Sequence, residues 1–125
     1  MEVARNPVVW FEIPTADLKR AIGFYEHVFD VTLEQHEMGP LTMAWFPMKE
    51  GEMGAPGSLV QSEHYTPSAE GTLVYFSVAD IETACSKATA QGGTVLQEKK
   101  SIGEFGFVGI LLDTEGNRIG IHSQS

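Results

Sequence analysis

Apolar and polar positions vary along this chain in two matching waves. A short apolar run, Val8-Val9-Trp10-Phe11-Glu12-Ile13, precedes a stretch in which Leu18, Ala21, Ile22, Tyr25, Val28 and Phe29 recur at steps of three and four. The run predicts a strand; the spacing predicts an amphipathic helix over about Asp17 to Phe29. The same order of patterns returns sixty-three residues later. Leu73-Val74-Tyr75-Phe76-Ser77-Val78 reads as a strand, and Ile81, Ala84, Cys85 and Ala88 mark a helix from about Asp80 to Gln91. Ala16-Asp17-Leu18-Lys19-Arg20-Ala21 and Ala79-Asp80-Ile81-Glu82-Thr83-Ala84 align at the two helix starts. Self-similarity at a fixed offset predicts an internal duplication, two small units burying their faces against each other around a shared concavity.

Three strands are expected after each helix: about Thr32–Met38, Leu41–Met48 and Ser58–Glu63, then about Thr94–Ser101, Phe105–Leu112 and Asn117–Ser123. Gly39-Pro40, the glycine-bounded segment 51–57 and Asp113-Thr114-Glu115-Gly116-Asn117 supply the turns between them. Asp17 and Asp80 each stand one residue ahead of an apolar stripe, where a carboxylate accepts from free helix amides, so both read as caps. Gly92-Gly93 suits the end of the second helix. The expected architecture is α+β, two tandem βαβββ modules at about residues 1–63 and 71–125 joined by a polar linker, 64–70, in a single domain.

With 125 residues and 42% apolar content, the chain can bury one core. No stretch approaches the roughly 20 apolar residues that cross a bilayer. The N-terminus, Met1-Glu2-Val3-Ala4-Arg5-Asn6-Pro7, lacks the basic start and apolar run of a secretory signal. The single Cys85 makes no internal disulfide, so a cytoplasmic location is expected. Lys and Arg number 8 against 17 Asp and Glu, a formal charge of −9. That balance argues against nucleic acid and anionic membranes as partners. It is compatible with a cationic guest, although solubility alone explains it.

A duplicated βαβββ unit resembles the vicinal oxygen chelate superfamily of glyoxalases, extradiol dioxygenases and bleomycin-resistance proteins. The segment Ile13-Pro14-Thr15-Ala16-Asp17-Leu18-Lys19-Arg20-Ala21-Ile22-Gly23-Phe24-Tyr25 is similar to the family's opening, a strand, then Asp-Leu, then a helix carrying Phe-Tyr. Gln91-Gly92-Gly93 resembles its second-helix ending. Asp113-Thr114-Glu115-Gly116-Asn117 resembles its Asp-Pro-Asp-Gly-Asn turn, with Thr114 in place of proline. The resemblance covers nearly the whole chain and implies cupped mixed sheets of eight strands, often completed in a homodimer.

In metal-dependent members, the resemblance places four ligands on the first and last strands of the modules. Here those positions fall at Trp10, Gln61, Leu73 and Gly120. Three of the four lack a donor side chain, and one amide oxygen does not hold a divalent cation. No metal and no other cofactor is therefore expected, and the four positions become candidate ligand-binding residues.

Strand alternation brings Glu12 beside Trp10, Tyr75 and Ser77 beside Leu73, Arg118 and His122 beside Gly120, and Leu59 and Glu63 beside Gln61. Such a mix of aromatic walls and few polar groups suits a small-molecule pocket, with Tyr75 among its walls. Glu12 interrupts an apolar strand. Held against Trp10 and Tyr75, it would have a raised pKa and serve as an acid or base; paired with Arg118, it would be structural. His122 is a second candidate for proton transfer, or else an unremarkable residue at a strand end. Cys85 lies on the helix stripe and is expected to be buried and inert. Trp45, with Met43, Phe46 and Met48, makes its strand apolar on both faces, which suits a core on one side and a pocket wall or subunit contact on the other.

Two principal readings follow. One is a bleomycin-resistance-like protein binding a small organic molecule in a metal-free cavity. The other is a lyase or isomerase of the glyoxalase type, acting on a small carbonyl compound with Glu12, and His122 beside it, as acid and base. A different duplicated α+β fold of the ferredoxin-like kind is disfavoured by the third strand after each helix.

Overall fold

A computed structural model describes residues 6–125. Met1–Arg5, on which part of the reading of the N-terminus rests, lie outside the described residues. The elements run β1 (Phe11–Pro14), α1 (Leu18–Phe29), β2 (Glu34–Met38), β3 (Leu41–Trp45), β4 (Gly57–Gln61), β5 (Tyr75–Ser77), α2 (Ile81–Ala90), β6 (Thr94–Ser101), β7 (Phe107–Leu112) and β8 (Arg118–Ser123). The fold is α+β, with two tandem βαβββ modules.

The eight strands form two four-stranded mixed sheets, ordered β1-β4-β3-β2 and β5-β8-β7-β6. In each, the first strand runs parallel to the fourth, and the other pairs are antiparallel. The sheets are joined through side chains: Phe11 of β1 meets Phe76 of β5 edge-on, with ring centroids 5.9 Å apart.

Both helices begin as the sequence predicts. Asp17 accepts from the Arg20 amide at 3.1 Å, and Asp80 from the Thr83 amide at 3.0 Å. The first helix ends on Asp30 in the left-handed region, its N–H donating to the Glu26 carbonyl. The second is followed by Gly92 at φ 92°, then Gly93, where an added Cβ would lie 2.6 Å from the Phe24 ring. That close approach explains why Phe24, which the predicted stripe omits, is buried, whereas Ile22 and Phe29 are only partly so.

One continuous core unites the modules. Ile13, Ala44 and Leu59 from the first sheet and Leu111, Ile119 and Ile121 from the second pack with Leu18, Tyr25, Val28, Ile81 and Ala88 of the helices. Burying each of the Leu, Ile and Val side chains among them stabilises by about 1.5–3 kcal/mol relative to exposure.

The turn Asp113–Asn117, between β7 and β8, grips the start of the first module. Glu115, buried, accepts from the amides of Ala16 and Asp17 at 2.9 and 2.8 Å and from Arg20 Nε at 2.7 Å. The Tyr25 hydroxyl donates to Asp113 at 2.6 Å, and Asn117 Nδ2 donates to the Pro14 carbonyl at 2.7 Å. Burial would raise the Glu115 carboxyl, but Arg20, the two amides and the Thr114 hydroxyl outweigh it and hold its pKa below the ordinary value.

Several predicted boundaries shift. The first strands are shorter than expected, leaving Trp10 and Leu73 just ahead of β1 and β5. Phe105 lies outside β7, in a 3-10 turn (Gly103–Phe105) flanked by Gly103 and Gly106 at φ 77° and 104°. Cys85 is half-buried rather than buried, and that burial is the first cause of its raised thiol pKa.

Candidate functional site

Register decides which side chains share a face. Phe11 and Ile13 pair with Gly57 and Leu59, and all four point to the helix side of the first sheet. Glu12 therefore stands with Ser58 on the opposite side, and Trp45, the partner of Ser58 on β3, stands there too. In the second sheet Phe76 points to the core, so Tyr75 and Ser77 share the other face with Gly120 and His122, their partners on β8.

On that side, between the β1 and β5 edges, lies a cavity of about 700 Å³. Trp10, Leu73 and Tyr75 are its main apolar walls, and Glu12 and Arg118 bring opposite charges to it. The connector between β4 and β5 closes one side with Thr66, Ser68 and Thr72. Polar side chains with satisfied neighbours frame the rest: Asn117 Oδ1 accepts from the Ser68 amide at 3.0 Å, while its Nδ2 is engaged by Pro14 and Asp113.

Of the predicted residues, Trp10, Glu12, Leu73 and Tyr75 line this cavity together. The others need correction. Gln61 was expected on the same face, with Leu59 and Glu63; instead it lies on the helix side, where its Oε1 accepts from the Leu18 amide at 2.7 Å. Leu59 is in the core. Gly120 is on the expected face but is covered, since a Cβ there would lie 2.5 Å from the Tyr75 ring. It is a platform for that ring and not an open contact. His122 does not line the cavity; its Nε2 lies 2.7 Å from the Phe105 carbonyl.

Glu12 is exposed and is not enclosed by Trp10 and Tyr75. Nor does it pair with Arg118. Its partner is the Tyr65 hydroxyl, which donates to Oε1 at 2.7 Å. That hydrogen bond, with lesser contributions from burial and the carboxylate charge, raises the Tyr65 pKa. Tyr65 went unrecognised in the sequence; its one signal is that it is an aromatic residue in an otherwise polar connector.

Beside the cavity, Trp10 touches Trp45 edge-on at a centroid distance of 5.4 Å, and His36 lies 4.0 Å from Trp45 on its β2 side. The Trp45 indole N–H and the Ser58 hydroxyl are both buried, and neither meets a hydrogen-bonding group of the protein.

The residues at the four inherited metal positions do not fit a divalent cation. Trp10 and Leu73 are apolar, Gly120 is covered by Tyr75, and the Gln61 amide is spent on the far side of the sheet. Among the described residues, no group of three or more His, Cys, Asp or Glu is placed to hold a metal ion.

Residues 8–121 match the family model described as Glyoxalase/Bleomycin resistance protein/Dioxygenase superfamily. "Putative glyoxylase CFP32" of Mycobacterium tuberculosis is 28% identical over 109 residues, which are 87% of this chain and 41% of that protein. The chain thus spans less than half the length of this curated relative. Among solved structures, a glyoxylase/bleomycin resistance protein/dioxygenase domain from Frankia sp. EAN1pec superposes with a TM-score of 0.74 at 12% identity, covering 98% of this chain and 100% of that one. TnmS3, an antibiotic binding protein from Streptomyces sp. CB03234, superposes with a TM-score of 0.67 at 22% identity, covering 99% and 100%. These structural likenesses establish the fold.

Proposed function

We propose that this chain, which belongs to the glyoxalase/bleomycin resistance protein/dioxygenase superfamily, binds a small organic molecule in the cavity between its modules without a resident metal. The observation that carries this reading is the cavity itself: about 700 Å³, walled by Trp10, Leu73 and Tyr75, the first two at positions where metal-dependent relatives would need donor side chains. A volume of that order accommodates a compact organic ligand, and aromatic walls with few polar groups favour one. Glu12 keeps one carboxylate oxygen beyond its bond to Tyr65, and that oxygen would accept an N–H or cationic end of the guest. The antibiotic-binding protein among the structural neighbours is a parallel for such a role.

A catalytic reading, lyase or isomerase chemistry on a small carbonyl compound, draws support from the Glu12–Tyr65 pair, an acceptor and a donor in hydrogen-bond contact. Binding is the better reading because His122, the second proton carrier this chemistry would use, is turned to the Phe105 carbonyl.

On β3, Met43 and Trp45 point away from the helices, Met43 buried and Trp45 half-buried within one chain; we keep a homodimer as part of the reading on the family resemblance. The single Cys85 supports a reducing, cytoplasmic setting.

A calorimetric screen of small aromatic and heterocyclic compounds tests binding. A hit should weaken at least about tenfold in Trp10→Ala or Tyr75→Ala, the loss of one large apolar contact. Glu12→Gln should leave the affinity of a neutral hit without an N–H donor largely unchanged. Turnover of a small carbonyl compound that disappears in Glu12→Gln would overturn the binding reading in favour of catalysis.

A further inference from the structure

We propose that the ligand of this cavity carries a planar anionic group, a carboxylate, held by Arg118. The inference rests on the binding role proposed above and adds the chemical class of the ligand.

Polar groups at the cavity divide into spent and unspent ones. Asn117 uses both ends of its amide within the protein. The Ser68 hydroxyl accepts from the Glu70 amide, and Glu12 accepts from Tyr65 with one of its two oxygens. The Thr66 and Thr72 hydroxyls are unbonded among the described residues but uncharged; among the charged groups, Arg118 stands apart. Among the described residues, it makes no ion pair with any carboxylate and no side-chain hydrogen bond. Arg20, the other arginine of the described residues, is held to Glu115 by a two-point contact through Nε and one terminal nitrogen.

A guanidinium has five donors in a rigid plane, and a carboxylate accepts two of them side by side. The backbone of Arg118 is fixed on both sides. It opens β8 opposite Leu112, and it follows Asn117, whose side chain and amide are tied to Asp113. The charge is therefore presented from a rigid edge next to apolar walls, an arrangement that orients an anion on an aromatic-sized body.

This preference runs against the net charge of the chain. With 17 acidic and 8 basic residues, the surface as a whole favours cations at long range. The cavity is different: Glu12 and Arg118 are its one acid and one base, and the base is the one left without a partner. A guest with an anionic end on Arg118 and a donor toward Glu12 would satisfy both.

Calorimetry on the full chain with three probes of one shape, 2-naphthoate, 2-naphthamide and 2-naphthylmethylamine, tests the proposal. The carboxylate should bind at least about tenfold tighter than the amide, the expected gain from a charge-assisted bidentate contact. Arg118→Gln, at an exposed position where folding is not at stake, should weaken the carboxylate at least about tenfold and the amide far less. Arg118→Lys should fall between, keeping the charge and losing the fork. Equal binding of carboxylate and amide, or a carboxylate unaffected by Arg118→Gln, overturns the anion assignment while the cavity remains a binding site. No binding of any probe counts against both this assignment and the proposed function.

Discussion

Two glycines make a matched experiment on how tightly each face of the sheets is packed. Gly57 on β4 and Gly120 on β8 both lie beneath an aromatic ring of the parallel neighbour, Phe11 and Tyr75 respectively. Neither has a positive φ, so alanine strains neither backbone and the added methyl acts through space alone. At Gly57 the new Cβ would clash with the Phe11 ring, which is confined by Phe46 and Phe76 with centroids 5.6 and 5.9 Å away. Overpacking a confined core site costs about 1–3 kcal/mol, and a ring with packed neighbours belongs at the upper end. At Gly120 the Cβ comes 2.5 Å from a Tyr75 ring that is 49% exposed and can swing outward. Relief by rotation holds the cost below about 1 kcal/mol. For a domain of this size, roughly 3–5 °C of Tm accompanies each kcal/mol. Gly57→Ala should therefore lower Tm by roughly 6–15 °C and Gly120→Ala by less than about 5 °C. Differential scanning calorimetry on the two variants and the parent decides the matter. Equal losses, or a larger loss at Gly120, would refute the claim that the Phe11 ring is confined and the Tyr75 ring is free. Gly120→Ala should in addition weaken any ligand that uses Tyr75 as a wall, despite its small thermal effect.

Tyr25→Phe removes the hydroxyl that donates to Asp113, and with the carboxylate still bonded to the Glu115 and Asn117 amides it should cost about 1–2 kcal/mol in urea unfolding. The folded-state pKa of Glu115 lies below its ordinary value of 4.5, so its stabilising contribution is complete above that pH and is lost as pH falls through the folded value. Thermal midpoints measured from pH 6 down to pH 3 should accordingly fall less steeply in Glu115→Gln than in the parent. Ultraviolet titration of the phenols should find Tyr65 ionising above the ordinary 10.0, and Glu12→Gln should move that step downward; an unmoved step would mean that the two side chains do not bond in solution.

The helices were legible because periodicity and caps agree. Asp17 and Asp80 stand where the apolar stripes begin, and the structure gives each the amide it was expected to accept. Strand ends were harder. Val8 and Val9 are apolar yet exposed, so an apolar run alone did not mark where pairing starts. The error at Gln61 has a specific cause. Gly57, Ser58, Leu59 and Val60 are all buried, because β4 is covered on both faces, and a strand without in-out alternation carries no signal of which way its next residue points. Of the cavity walls, Trp10 and Leu73 came from the family resemblance and Tyr75 from strand alternation next to Leu73. Tyr65 could not be read, since a connector has neither period to place it; Arg118 was placed on the concave face by alternation, but its one suggested role, pairing with Glu12, is not made in the structure.

The turn at Asp113–Asn117 has a consequence for the order in which this protein takes shape. The amides of Ala16 and Asp17 wait for a carboxylate 99 and 98 positions downstream, and the Tyr25 hydroxyl for one 88 positions away. During synthesis from the N-terminus, the first module emerges with these groups still bound to water. Its opening helix can form, but it cannot be fastened until nearly all of the second module has left the ribosome. Contacts so distant along the chain close late and slowly. A nascent chain stalled before Asp113 should therefore hold its first helix loosely, and a chaperone or protease would meet that helix in a form the finished molecule never displays.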